Sequence, residues 1–200
     1  MAIREKCKKS SRNSQEKCIF ISFFTLKKMM DFKIIVWLLP IVFMIHDFEE
    51  IIFFKSWIAR NKDYLWDKFP KLSKRLFVRL ENFSVPAFSL AVAEEFVLLS
   101  IVTVLSVVYE SYLLWFGIFM GFFIHLLVHL IQWIALRRYI PAIYTSIAAL
   151  FYCIFSLNYI LKNKLFETNE IFVWTFIGFG FMMINLIIAH KLAELFDKKR

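Results

Sequence analysis

The sequence predicts an all-α fold, a polytopic bundle of transmembrane helices, on three observations. The 200 residues are 60% hydrophobic and 19% aromatic, with 25 Phe and a mean hydropathy of +0.63. A soluble domain of this size cannot bury that much apolar surface. Five long apolar stretches follow one another, each of a length that can cross a bilayer as a helix. Only 4 Gly and 4 Pro are present, too few for the many turns of a barrel of short strands.

The elements follow in chain order. Residues 1–28 carry eight Lys/Arg against two Glu, then a nine-residue apolar run from Cys18 to Leu26 that is too short to span. They read as a basic extension, as an amphipathic anchor, or as a gene-start artefact ahead of Met29 or Met30. Residues 29–200 read as one integral-membrane domain with spans at 33–54, 85–108, 112–136, 141–161 and 170–191. Residues 55–84 mix eight Lys/Arg with Trp57, Tyr64, Trp66, Phe69 and Phe77. That is the pattern of an amphipathic segment lying in the interface, with Pro70 expected to break it in two. Counted from Met29, an N-terminus outside leaves 14 basic residues on the cytoplasmic side and only Lys33, Lys162 and Lys164 outside, a bias that fits the late start because eight further positive charges ahead of span one would pull it inward. The positive-inside bias therefore accounts for the net charge of +9 without invoking nucleic acid. The expected location is a bacterial cytoplasmic membrane, the Lys, Ile, Phe and Asn richness hinting at an AT-rich genome.

Cys7, Cys18 and Cys153 form no CxxC pair, so neither a disulfide framework nor a cysteine-based zinc site is read. The chemistry lies in ionisable residues placed inside spans, each of which costs about 2.5–3.5 kcal/mol at the centre of a helix and needs a reason. They are His46, Asp47, Glu49 and Glu50 on span one, Glu94 and Glu95 on span two, and His125 and His129 on span three. At 1.5 Å rise per residue all three groups fall in one layer of the cytoplasmic half, roughly 14–25 Å from where each span enters. His46, Glu49 and Glu50 share one helical face, as do His125 and His129. Gly117 and Gly121 lead into His125 at a spacing of four, and Ala87 and Ala91 lead into Glu95. Small residues at that spacing let a neighbouring helix approach, so these faces point into the bundle. Asp47 stands about 100° round from His46 and fits no shared face.

His46-Asp-Phe-Glu49-Glu50, the "FSLAVAEEFVLL" stretch with Glu94 and Glu95, and "HLIQWIALRRYIPAIYTS" with His129, Arg138, Tyr139 and Pro141 together resemble a family of small bacterial membrane proteins named for an HxxEE motif. The resemblance covers roughly residues 35–160. Ala142 stands where that family usually has Gly. The resemblance implies a membrane location and brings no activity with it.

From the residues themselves, the leading expectation is a membrane-embedded metal enzyme acting on a lipid-soluble or membrane-bound substrate by hydrolysis or oxidation. A His and a carboxylate at i, i+4 can hold one ion. His46, Glu50, His125, His129 and Glu94 are the expected ligands, with Glu49 and Glu95 as catalytic carboxylates. Mixed imidazole and carboxylate ligation suits zinc, iron or manganese. A metal-free, glutamate-type intramembrane hydrolase is the alternative, but those enzymes carry an Arg at a fixed offset and here Lys55 follows Glu50. A proton- or cation-coupled or ligand-binding membrane protein without catalysis is the third reading. His190 reads as interfacial, Asn185 as glue between helices, and Tyr144, Thr145 and Ser146 as capping or packing residues of span four.

Overall fold

The computed structural model describes residues 12–70 and 83–199, with side chains from residue 29 onward. The helices ordered along the described residues are α1 (Arg12–Lys68), α2 (Val85–Val108), α3 (Leu113–Leu136), α4 (Ile143–Lys162) and α5 (Thr168–Lys199). No strand occurs among the described residues. Met29–Lys68 of α1 and each of the other four helices are long and apolar enough to cross a membrane. The five expected spans all exist as helices. Residues up to Leu38 form one compact unit, and Leu39–Arg200 form a second that contains every side chain discussed below.

One element differs from expectation. Residues 55–68 do not form an element of their own, because α1 continues through them to Lys68. Between Ile41 and Phe69 there is no Gly or Pro to stop a helix. The helix ends just ahead of Pro70, where the break was expected. Residues 71–82, and with them Phe77 and half of the segment's basic residues, lie outside the described residues, as do residues 1–11. Pro40 is accommodated inside α1.

Local chemistry sets the other boundaries. Ser84 caps α2 by accepting from the Ala87 amide at 3.1 Å, and Pro86 follows in the first turn, where its missing N–H costs nothing. Ser84 is itself held by the Asp197 carboxylate at the far end of α5, which accepts from its amide at 2.9 Å and from its hydroxyl. Helices α2 and α4 close in the same way. Glu110 (φ 53°) and Lys164 (φ 49°) take the left-handed conformation. The next amides then bond back to Ser106 and Ile160, each at 3.1 Å, the Schellman arrangement that satisfies otherwise orphaned carbonyls. Ala142, buried at the N-cap of α4, has φ 68°. The positive-φ turn that a glycine would favour is therefore kept, at the steric cost an alanine carries there.

Packing follows the small residues. Helix α5 lies against both α2 and α3, and α4 against α3. Ala87 and Ala91 of α2 meet Ala189 and Ala193 of α5 in a buried cluster completed by Phe54, Ile58 and Phe83. On α3, the space beside Gly117 and Gly121 is filled by the backbone of α5 at Gly178. The stripes read from the sequence are thus the seams along which α5 docks. They fix how α3 presents the residues that follow its glycines.

Candidate metal centre

The i, i+4 pair His46/Glu50 of α1 faces the i, i+4 pair His125/His129 of α3. His46 Nε2 lies 3.2 Å from His125 Nε2, which lies 2.9 Å from His129 Nε2, which in turn lies 3.1 Å from Glu50 Oε1. One ligand atom from each of the four falls within 4.8 Å of the other three. A tetrahedral ion with bonds of about 2.0–2.1 Å has ligand-to-ligand edges of roughly 3.3 Å. The three edges given above are close to that length, and the other three are no longer than 4.8 Å.

The donor set fits an ion on its chemistry as well. His125 Nε2 has a ring nitrogen on two sides and can direct one proton at most, so protons alone cannot satisfy all these contacts. Three imidazole nitrogens and one carboxylate oxygen suit a borderline divalent metal. His46 is fully buried and His129 nearly so. His46 Nδ1 has the Thr145 and Ser146 hydroxyls beside it, each at 3.5 Å, the long edge of hydrogen bonding. Such contacts turn the ring's other nitrogen toward the cluster. His129 Nδ1 is buried with no hydrogen-bond partner among the described residues.

Of the expected ligands, four converge and Glu94 does not. Its Oε2 accepts from Asn185 Nδ2 at 3.2 Å, linking α2 to α5 as glue between helices would. Glu49, expected as a base, is not among the four and is engaged by α4 and the loop before it. Its Oε1 accepts from the Tyr139 hydroxyl at 2.8 Å, and its Oε2 from the Thr145 amide at 2.8 Å and the Thr145 hydroxyl at 2.7 Å. The carboxylate thus sits on the first turn of α4, where free amides and the helix dipole favour a negative charge. Burial, and then the Glu49 carboxylate beside it, push the Tyr139 phenol above its ordinary value and keep it a neutral donor. The carbonyl of Tyr139 also accepts from the Trp57 indole, so this loop is tied to α1 at two points. Tyr139 belongs to the motif singled out in the sequence, yet nothing in the spacing said that its partner was Glu49.

Beside the cluster lies a cavity of about 140 Å³. Glu50 and His125 are common to both, and Asp47, Glu95, Asn185 and His190 complete its polar lining. Glu95 therefore faces the cavity rather than the four-residue group. Asp47, which fitted no face in the sequence, is buried on this wall, and its Oδ2 has no hydrogen-bond partner among the described residues. His190, read as interfacial, lines the cavity too. The step of about 100° from His46 to Asp47 read in the sequence turns Asp47 away from the cluster and toward the adjoining space, a destination the sequence did not give.

A family model described as a protein of unknown function with HXXEE motif matches residues 37–159. No curated protein and no solved structure matches the chain. The matched residues include all four convergent side chains, the cavity's Asp47 and Glu95, and the Glu49–Tyr139–Thr145 anchor.

Proposed function

This chain belongs to the HXXEE-motif family, and we propose that it is a membrane-embedded enzyme whose centre is a divalent metal held by His46, Glu50, His125 and His129. The observation that carries the reading is the convergence of four ligand atoms from two helices within 4.8 Å of one another, three of their separations being near the edge of a metal's coordination shell. The metal is of the zinc, iron or manganese class. When bound, it supplies Lewis acidity toward a substrate oxygen, or redox capacity if it is iron or manganese. The substrate is lipid-soluble or membrane-bound, and the site lies in the cytoplasmic half of a bacterial membrane, a placement supported by the distribution of basic residues.

The chain's own groups divide the remaining work. The cavity meets the cluster at Glu50 and His125, so a substrate in it lies against that edge of the site. Glu95 is the carboxylate placed to accept or return a proton, because it lines the same space. Glu49 is a positioning residue. It fixes α4 and Tyr139 against α1, and with α4 the Thr145 and Ser146 hydroxyls that face His46.

Metal analysis of protein purified in a maltoside detergent tests the proposal. The expected result is stoichiometric zinc, iron or manganese that is lost in His46→Ala and in Glu50→Ala. Metal-free protein whose thermal stability is indifferent to chelator and to added metal would sink it.

A further inference from the structure

The cavity beside the metal cluster carries features that the metal does not need. Asp47 is 4% exposed, and its unpartnered Oδ2 belongs to a residue on the cavity wall. A carboxyl group left in that state is either kept neutral by a proton or met by a cation. Glu95 and Glu50 line the same space, while no lysine or arginine among the described residues does. The surrounding wall is apolar and aromatic, with Phe43, Phe88, Phe122 and Phe181 among its residues. Phenyl faces attract cations that have given up their water, and organic ammonium groups most readily of all. At about 140 Å³ the space is comparable to cavities of roughly 150 Å³ that hold a benzene-sized molecule, far more than a bare ion needs.

We infer that this cavity binds an organic ammonium head group with an apolar chain, Asp47 serving as its counter-charge, Glu95 as a second negative wall and the phenylalanines as its sides. An inorganic cation would need several oxygens at bonding distance, and among the described residues the only side-chain group close enough to hold an ion is the histidine-rich one. Ammonium recognition asks less of the geometry, since charge and aromatic faces act over longer distances than a coordination bond. The head group would sit against Glu50 and His125, at the edge of the proposed centre. Identifying it as the substrate therefore rests on the metal reading, whereas the binding itself does not.

Binding of hexyltrimethylammonium to maltoside-purified protein, measured by calorimetry beside hexanol and hexanoate, tests the inference. The expected order is strong binding of the cation, weak binding of the alcohol and none of the carboxylate. Asp47→Asn should weaken the cation roughly thirtyfold or more, as expected when one member of a buried charge pair is removed, and leave hexanol unchanged. Equal affinity for cation and alcohol in the unmodified protein, or cation binding indifferent to both Asp47→Asn and Glu95→Gln, would overturn it. The comparison among ligands needs no variant to fold. A short-chain phosphatidylcholine arm identifies the source: binding tighter than the simple cation marks a lipid head group, weaker binding a free amine, and both uphold the ammonium site. Metal content read on the same samples separates the two proposals, because Asp47→Asn should retain metal and a protein without metal can still bind the cation.

Discussion

Replacing Gly178 with alanine should separate α5 from α3, and the structure gives the scale. An alanine Cβ at 178 would lie 1.8 Å from the carbonyl oxygen of Gly117 and 2.1 Å from its carbonyl carbon. Both are backbone atoms of a helix, so no rotamer can relieve the contact. One helix must retreat by more than an ångström, and the seam along Gly117 and Gly121 loses its close packing. Overpacking of this kind costs about 1–3 kcal/mol, and more where backbone must move. A helical Gly→Ala change by itself is favourable by roughly 0.5–1 kcal/mol. Gly180, two residues further along the same helix, supplies the control, since a Cβ there meets nothing within 4 Å. Thermal unfolding in detergent should therefore show Gly180→Ala at or slightly above the parent and Gly178→Ala well below it. Because α3 also carries His125 and His129, the Gly178 variant should bind metal more weakly than the Gly180 variant. Equal melting temperatures for the two variants would refute the assigned α3–α5 seam.

The remaining predictions concern the site and its anchors. Alanine at His46, Glu50, His125 or His129 should each reduce bound metal to near background, whereas Glu94→Gln and Glu95→Gln should leave metal content unchanged by mass spectrometry. Metal should also be released as pH falls, because an imidazole must be neutral to ligate, and a titration of metal content against pH in detergent reads this directly. Tyr139→Phe removes a charge-assisted hydrogen bond and should cost about 1–2 kcal/mol of stability. With the folded-state phenol raised above its ordinary value of 10.0, that contribution is complete below pH 10 and drains away above it, as the unfolded chain loses its proton first. The parent should thus converge on the Phe variant only in the alkaline range of a denaturation series. Ala142→Gly relieves a φ of 68° and should be neutral or stabilising by up to about 1 kcal/mol, the αL penalty of a Cβ less the entropy a glycine loses. A loss of stability there would show that the buried methyl group matters more than the backbone.

The sequence by itself determined the class of fold and most of the candidate metal centre. Hydropathy over twenty-residue windows reports helices directly, because a bilayer admits no unpaired backbone and so admits few alternatives. The four convergent ligands were legible because i, i+4 spacing fixes a helical face. Depth is also linear in residue number, so His46/Glu50 and His125/His129 could be assigned to one layer before any contact was known. Only the tertiary structure decided which partner each remaining carboxylate meets. Glu49 and Glu50 are adjacent and of one type, yet Glu50 turns to His129 while Glu49 turns to Thr145 and Tyr139. Asp47 lies on neither side and reaches the cavity. Rotation about the helix axis separates these neighbours by about 100° at each step. What lies in each direction depends on how α2 to α5 are arranged round α1. That arrangement was set by close backbone contacts such as Gly117 on Gly178, which no local pattern pairs in advance. The length of α1 was decided in a similar way. The basic and aromatic residues from 55 to 68 read as a surface segment by composition, but no breaker stands between them and the span, and Trp57, Tyr64 and Lys68 bond to the end of α3 and the loop after it.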